Sequence, residues 1–447
     1  MNPFPIEEDP VSVPPVSAYQ RAIAAFESIA RADRPQSWLT VRSREDVLVD
    51  AKAVDERVRA GERLPLAGTL VAIQEHPVAA QRLVQSGAVI LGIADAAGLA
   101  ASPVLDVVDA ATCWSLPAEC RGVVAVRPTR GLVPGPGEVT VLARNIDIGQ
   151  HAAAALTGRD DTDPASRAWP ASVRFSAGEH PRIAVPRQRE RAGLPQPAQA
   201  GFSATVDTLR ATGAVVEEIS LTAGVRRWRG QPATTLDGFD ALVLPLEGTT
   251  PALADLVGTL DVAAVAFSDR DAADAAVVTR AFDDQIAIDV VGQLSGIQAD
   301  TPYPDTGVEL AVFGAYLRGQ PLNDRLAEVG ARFTGFVETA PYYRMVALPG
   351  SPPQPGILRA AEGGGPLLAE RWVVSEAGLG HFLAGLPAPM TLGSIDLAGG
   401  ATATGLLCDP VAAAEGTDIT AYGCWRAYLR YLSTRRADVP GPRPASG

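Results

Sequence analysis

Apolar positions along the chain follow two spacings. Residues 17–33 carry Tyr19, Ile23, Phe26 and Ala30 at helical intervals, and 44–60 read as a second helix, charged on one side. Short apolar runs then alternate with helical stretches. TLVAI (69–73), AVILG (88–92), PVLDVV (103–108) and GVVAVRP (122–128) read as strands, and PVAAQRLVQSG (77–87) as a helix between a proline and a glycine. A helix near 147–158 runs into the polar loop TGRDDTDPASR. RIAVP (182–186), a helix at 199–212, AVVEEIS (214–220), ALVLP (241–245), DVAAVAF (261–267) and a helix at 282–294 continue the series. This alternation predicts an α/β domain whose sheet is covered by helices on both faces.

The stretch SGIQADTPYPDTG (295–307) is rich in Pro, Gly and Asp and sets a boundary, with domains at 1–300 and 301–447. Beyond it strands dominate: VELAVFG (308–314), ARFTGFVE (331–338), YRMVAL (343–348), ERWVVS (370–375), MTLGSIDL (390–397) and ATGLLC (403–408), with helices near 322–329 and 418–434. The second domain reads as a smaller α+β unit with a barrel-like sheet.

The bulk numbers narrow the class. The chain has 447 residues, of which 47% are hydrophobic, enough for a sizeable core. A formal net charge of −13 argues against nucleic acid and anionic membrane as partners, but not against an anionic small molecule held by one arginine. No apolar run reaches the roughly 18–20 residues of a membrane span, and MNPFPIEEDP lacks the basic start of a signal peptide, so a cytoplasmic protein is expected. Cys113, Cys120, Cys408 and Cys424 are scattered, and His76, His151, His180 and His381 are isolated. Neither a metal site, a disulfide framework nor a cofactor is signalled. Lys52 is the only lysine, so a mechanism needing a lysine base has nothing else to draw on.

LPLAGTLVAI (64–73), SGAVILG and LPAECRGVVAVRPTRGLVP together resemble the amidase signature family in order, spacing and the PTRG turn. LAVFGAYLRGQPLNDRL, YRMVALPGSPPQPGILR, LPAPMTLGSIDL and DITAYGCWRAYL resemble the C-terminal domain of allophanate hydrolase, as does TGRDDTDPASR in the first domain. The likeness runs from about Ala18 to Leu432. It implies an amidase-signature-like sheet followed by a domain resembling the γ-glutamyl cyclotransferase-like fold, a homodimer, and cleavage of a urea carboxylate. The C-terminal domain of that family is credited with decarboxylating the product.

The family's Ser–Ser–Lys chemistry needs a neutral lysine that takes a proton through a bridging serine. Here the lysine position is Gln74, whose amide has no useful basicity. The Gly/Ser-rich stretch that would hold the bridging serine is absent. Aligning on PTRG places Cys113 at the nucleophile position, followed by Trp114. A packed thiol is the favoured reading of Cys113, and His76 is the one nearby candidate base. Arg130 is read as tying its turn, Asp109 as orienting a loop, and His381 as a structural residue on a short helix.

In the C-terminal domain the residue the family uses as histidine is Tyr316, a poor base at neutral pH. The surrounding turn survives, so a concave site is expected beside it, lined by Tyr316, Arg318 and Asn323 with Tyr343 or Arg344 near by. Glycines at 314 and 319 would let backbone approach a ligand, Arg318 would bind a carboxylate, and Asn323 would start a helix that favours an anion. Three readings stay open: a degenerate amidase with a residual site for a small ureido, carbamoyl or amide-bearing carboxylate; a non-catalytic scaffold or regulatory partner; and a Cys113-dependent amide hydrolase or acyltransferase.

Overall fold

The computed structural model describes residues 17–31, 38–73, 76–94, 106–109, 122–135, 139–221, 236–246, 260–268, 274–298, 301–350 and 354–437. Gln74, Cys113 and Trp114 lie outside them. The chain divides into two compact units. The first comprises Met1–Ala168, Ile183–Thr212 and Val216–Ala299. The second comprises Trp169–Arg182, Gly213–Val215 and Asp300–Gly447.

Helix ends in the first unit follow from local chemistry. The helix Arg44–Arg59 starts at Ser43, whose hydroxyl accepts the Asp46 N–H at 3.2 Å, and it carries acids in its first turn and arginines in its last. The helix Pro77–Gln85 is capped by His76, whose Nδ1 accepts the Ala79 N–H at 3.2 Å, with Pro77 in the first turn. The strands are β1 (Trp38–Val41), β2 (Leu70–Ala72), β3 (Val89–Ala94), β4 (Val107–Asp109), β5 (Val123–Arg127), β6 (Val141–Ala143), β7 (Arg182–Pro186), β8 (Val215–Ile219), β9 (Ala241–Pro245), β10 (Val262–Ser268) and β11 (Ala275–Arg280). They form one mixed sheet in the order β1-β3-β2-β4-β6-β5-β10-β11-β9-β7-β8. All seven residues of β10 are buried. Because neighbours along a strand face opposite sides, this requires cover on both faces of the sheet. Strands β1, β6 and β11 have no counterpart in the sequence reading. The Ala-rich run that becomes β11 has no period to separate strand from helix.

The second unit contains β12 (Val308–Val312), β13 (Arg332–Glu338), β14 (Tyr343–Leu348), β15 (Gln354–Arg359), β16 (Leu368–Val374), β17 (Met390–Asp396), β18 (Thr402–Cys408) and β19 (Thr417–Asp418). One sheet runs β13-β16-β12-β18-β17, the other β15-β14-β19. Only β12 and β18 pair in parallel; the other pairs of these two sheets are antiparallel. The core gathers Leu310, Val312, Tyr316, Met345, Trp372, Phe382 and Trp425. Each such side chain contributes about 1.5–3 kcal/mol by leaving water. The segment Trp169–Arg182 joins this unit through fully buried Phe175, whose N–H meets the Gly330 carbonyl at 2.8 Å, and through Trp169, edge-on to Tyr303. Among the described residues no helix is long and apolar enough to cross a membrane.

Candidate functional site

Two places carry the residues singled out by the sequence. In the first unit, β5 ends at Arg127 and the chain turns through Pro128, Thr129, Arg130 and Gly131. These residues, with Val133 and Val139, line a small open depression with a cavity volume of about 20 Å³. The turn is closed by a buried acid. The Thr129 N–H and hydroxyl donate to Asp284 at 2.8 and 2.5 Å, and the Thr129 oxygen accepts the Phe282 N–H at 2.7 Å. Burial pushes the Asp284 carboxyl up to about 6, against the pull of the Thr129 hydrogen bonds. The Arg130 carbonyl accepts from Arg167 at 3.2 Å. Asp109 is the last residue of β4, opposite Val141.

The bases within the first unit are committed elsewhere. Lys52 Nζ stands 5.0 Å above the Tyr19 ring. His76 is buried; its Nδ1 is the helix cap, and Nε2 has no hydrogen-bond partner among the described residues. Accepting at Nδ1 leaves the neutral ring's proton on Nε2, so the cap and a proton-accepting Nε2 exclude each other. Nε2 faces Gly135, where a Cβ would come within 2.5 Å of it and where φ is +124°. Among the described residues no three His, Cys, Asp or Glu side chains group as a metal site.

In the second unit, β12 leads into a 3-10 turn at Gly314–Tyr316. Gly314 has φ +67°, and a Cβ there would strike the Pro355 ring at 2.2 Å. Glycine at this position serves the left-handed backbone and the proline. Tyr316 points into the core, edge-on to Phe382 with ring centroids 5.3 Å apart, and its hydroxyl has no hydrogen-bond partner among the described residues. Burial pushes its phenol above the usual range, with Arg325 opposing. The turn is braced by Asn323, whose Nδ2 donates to the Tyr316 carbonyl at 2.9 Å. Asn323 precedes the five-residue helix Asp324–Glu328 without capping it through its side chain.

The Arg318 side chain is half exposed and oriented twice. Its Nε donates to Glu179 at 2.9 Å, and its guanidinium lies 4.8 Å over the Phe333 ring. That leaves the Nη1/Nη2 end without a partner among the described residues, the edge that can fork onto a carboxylate. The structure therefore brings Tyr316, Arg318 and Asn323 into one turn. Tyr343 and Arg344 belong to β14, in the other sheet. The Tyr343 hydroxyl accepts the Asp396 N–H at 2.8 Å, and Arg344 donates twice to Asp418 at 3.0 and 2.5 Å. The Thr420 hydroxyl and N–H, and after them Arg344, hold the Asp418 carboxyl below its ordinary range against the effect of burial.

Three residues absent from the sequence reading meet at this turn: Glu179, Glu370 and Arg426. Glu370 is 1% exposed. Its Oε2 accepts the Arg318 N–H at 2.9 Å and the Trp372 indole N–H at 3.3 Å, and its Oε1 accepts from Arg426 at 2.6 Å. Trp372 reaches it because residues two apart on a strand share a face. The one available signal was an acid inside the apolar run LLAERWVV.

Residues 308–430 match the allophanate hydrolase C-terminal domain family. Urea amidolyases of Lachancea kluyveri and Saccharomyces cerevisiae are each 34% identical, over 144 and 139 residues, or 31% and 30% of this chain. Those stretches span only 8% of either relative's own length. A structure of Kluyveromyces lactis allophanate hydrolase aligns with a TM-score of 0.71, covering 94% of this chain and 97% of that one at 17% identity, a likeness of fold. The second unit thus contains a stretch matching the allophanate hydrolase C-terminal domain family, and about a third of the chain is similar in sequence to urea amidolyases.

Proposed function

We propose that this chain is an allophanate-hydrolase-like protein whose first unit no longer cleaves amides, and whose second unit keeps a binding site for a small ureido, carbamoyl or amide-bearing carboxylate. The observation that carries the first half is the fate of the bases. Gln74 stands where the family resemblance has lysine, the lone Lys52 lies exposed on the helix Arg44–Arg59 beside Tyr19, and His76 Nδ1 accepts the Ala79 N–H. An amide has no useful basicity, and a neutral His76 ring with Nδ1 accepting carries its proton on Nε2 and cannot accept another there. The second half rests on Arg318, whose guanidinium is aimed by Glu179 and Phe333 with its outer edge unused. With Tyr316 buried and its phenol raised, the turn supports recognition better than proton transfer.

The purified protein should release no ammonia from allophanate. Ammonia release that disappears in Cys113→Ala would overturn this and favour a Cys113-dependent hydrolase. The scaffold reading draws on a separate observation: Arg318 and Arg344 each already have a carboxylate partner within the chain. It gains if no small carboxylate binds.

A further inference from the structure

The proposed carboxylate site leaves unexplained why an acid is buried in the middle of a sheet. Glu370 pairs with Val312 on one side and Phe336 on the other, opposite the point where β12 leaves the sheet for the turn. A carboxylate taken wholly out of water is costly, and an apolar residue there would often be as stable. What the acid and its arginine do converges on the backbone of one residue of the turn. Glu370 accepts the Arg318 N–H, while Arg426, held on the other Glu370 oxygen, donates to the Arg318 carbonyl at 2.8 Å. Both polar ends of the Arg318 backbone are thereby gripped, one by each member of the Glu370–Arg426 pair. Two residues earlier, Asn323 grips the Tyr316 carbonyl.

We propose that Glu370 and Arg426 are positioning residues that clamp the Arg318 backbone and so set the direction of its guanidinium for a ligand carboxylate. This rests on the reading that Arg318 is the carboxylate-binding group. The clamp acts through Arg318 and need not touch the ligand. Its contribution should therefore vanish when the Arg318 guanidinium no longer depends on it, which a purely structural role would not do.

The test is calorimetric titration of the full chain with malonamate for the wild type, Glu370→Gln, Arg426→Ala, Arg318→Lys and the double variant Glu370→Gln/Arg318→Lys, with thermal melts alongside. The clamp predicts at least a tenfold loss of affinity in Glu370→Gln and in Arg426→Ala, both still melting cooperatively. It also predicts that Glu370→Gln costs less than threefold in the Arg318→Lys background. Should Glu370→Gln fail to fold, Arg426→Ala, altered on the half-exposed side of the pair, carries the same prediction. If the wild type binds and the single variants bind equally well, or the losses multiply in the double variant, the clamp is wrong while the binding site stands. If the wild type does not bind at all, the site itself is wrong and the clamp falls with it.

Discussion

The two turns of interest use the same device to different ends. Each leaves a central strand, β5 in the first unit and β12 in the second, and each is tied down by a buried carboxylate. Asp284 takes both the N–H and the hydroxyl of Thr129, whereas Glu370 takes only the backbone N–H of Arg318. The donors on Asp284 are neutral, and burial wins, lifting its carboxyl to about 6. Glu370 is met by a guanidinium, from Arg426. The first arrangement turns the Thr129 side chain inward and occupies its hydroxyl as both donor and acceptor. The second spends only backbone and leaves the arginine's outer edge available. A buried acid beside a turn is therefore not itself a sign of chemistry; what matters is which groups of the turn remain unspent.

The largest effect expected from this contrast is on stability against pH. Asp284 has a folded value near 6 against an ordinary 3.8, so it binds its proton more tightly folded than unfolded. Its contribution is full below about pH 4 and is lost as pH rises through 6, a loss of about 3 kcal/mol for the first unit. In Asp284→Asn that slope should flatten, and the variant should melt higher than the wild type at pH 7.5. Melting curves from pH 4.5 to 7.5 check it; parallel slopes for the two proteins would mean that Asp284 is not the group responsible. Next in size is Gly135→Ala. Its Cβ meets the His76 ring at a left-handed backbone position, so the variant should lose about 2 kcal/mol in denaturant unfolding. A neutral result would place His76 differently. The smallest effect belongs to the surface pair. Glu179→Gln loosens only the Nε side of Arg318, and both partners are about half exposed, so malonamate affinity should fall by about threefold. A loss as large as that of Glu370→Gln would move the origin of Arg318's orientation from the backbone to the side chain.

Much of the fold was legible because continuous buried runs bounded by turn residues have few alternatives. RIAVP, ALVLP and YRMVAL become β7, β9 and β14 with unchanged bounds. The elements that escaped are those whose strand character is tertiary: β15, opened by Gln-Pro-Gly, exists because β14 offers it a ladder. The site divides in the same way. The turn at 314–319 is marked by its glycines, Arg318 stands out within it, and Asn323 just after it. Glu370, Arg426 and Glu179 do not, since their relation to Arg318 spans 52, 108 and 139 residues of chain. At Gly314, expected to let a ligand approach the backbone, the space is taken by Pro355 instead.

The most direct test of the account is calorimetric titration of the full chain with malonamate, wild type against Arg318→Ala. The account predicts millimolar or tighter binding by the wild type, lost about a hundredfold in the variant, roughly 2.7 kcal/mol, with melting temperatures nearly equal. No binding by the wild type at millimolar malonamate, or equal binding by Arg318→Ala, would contradict it.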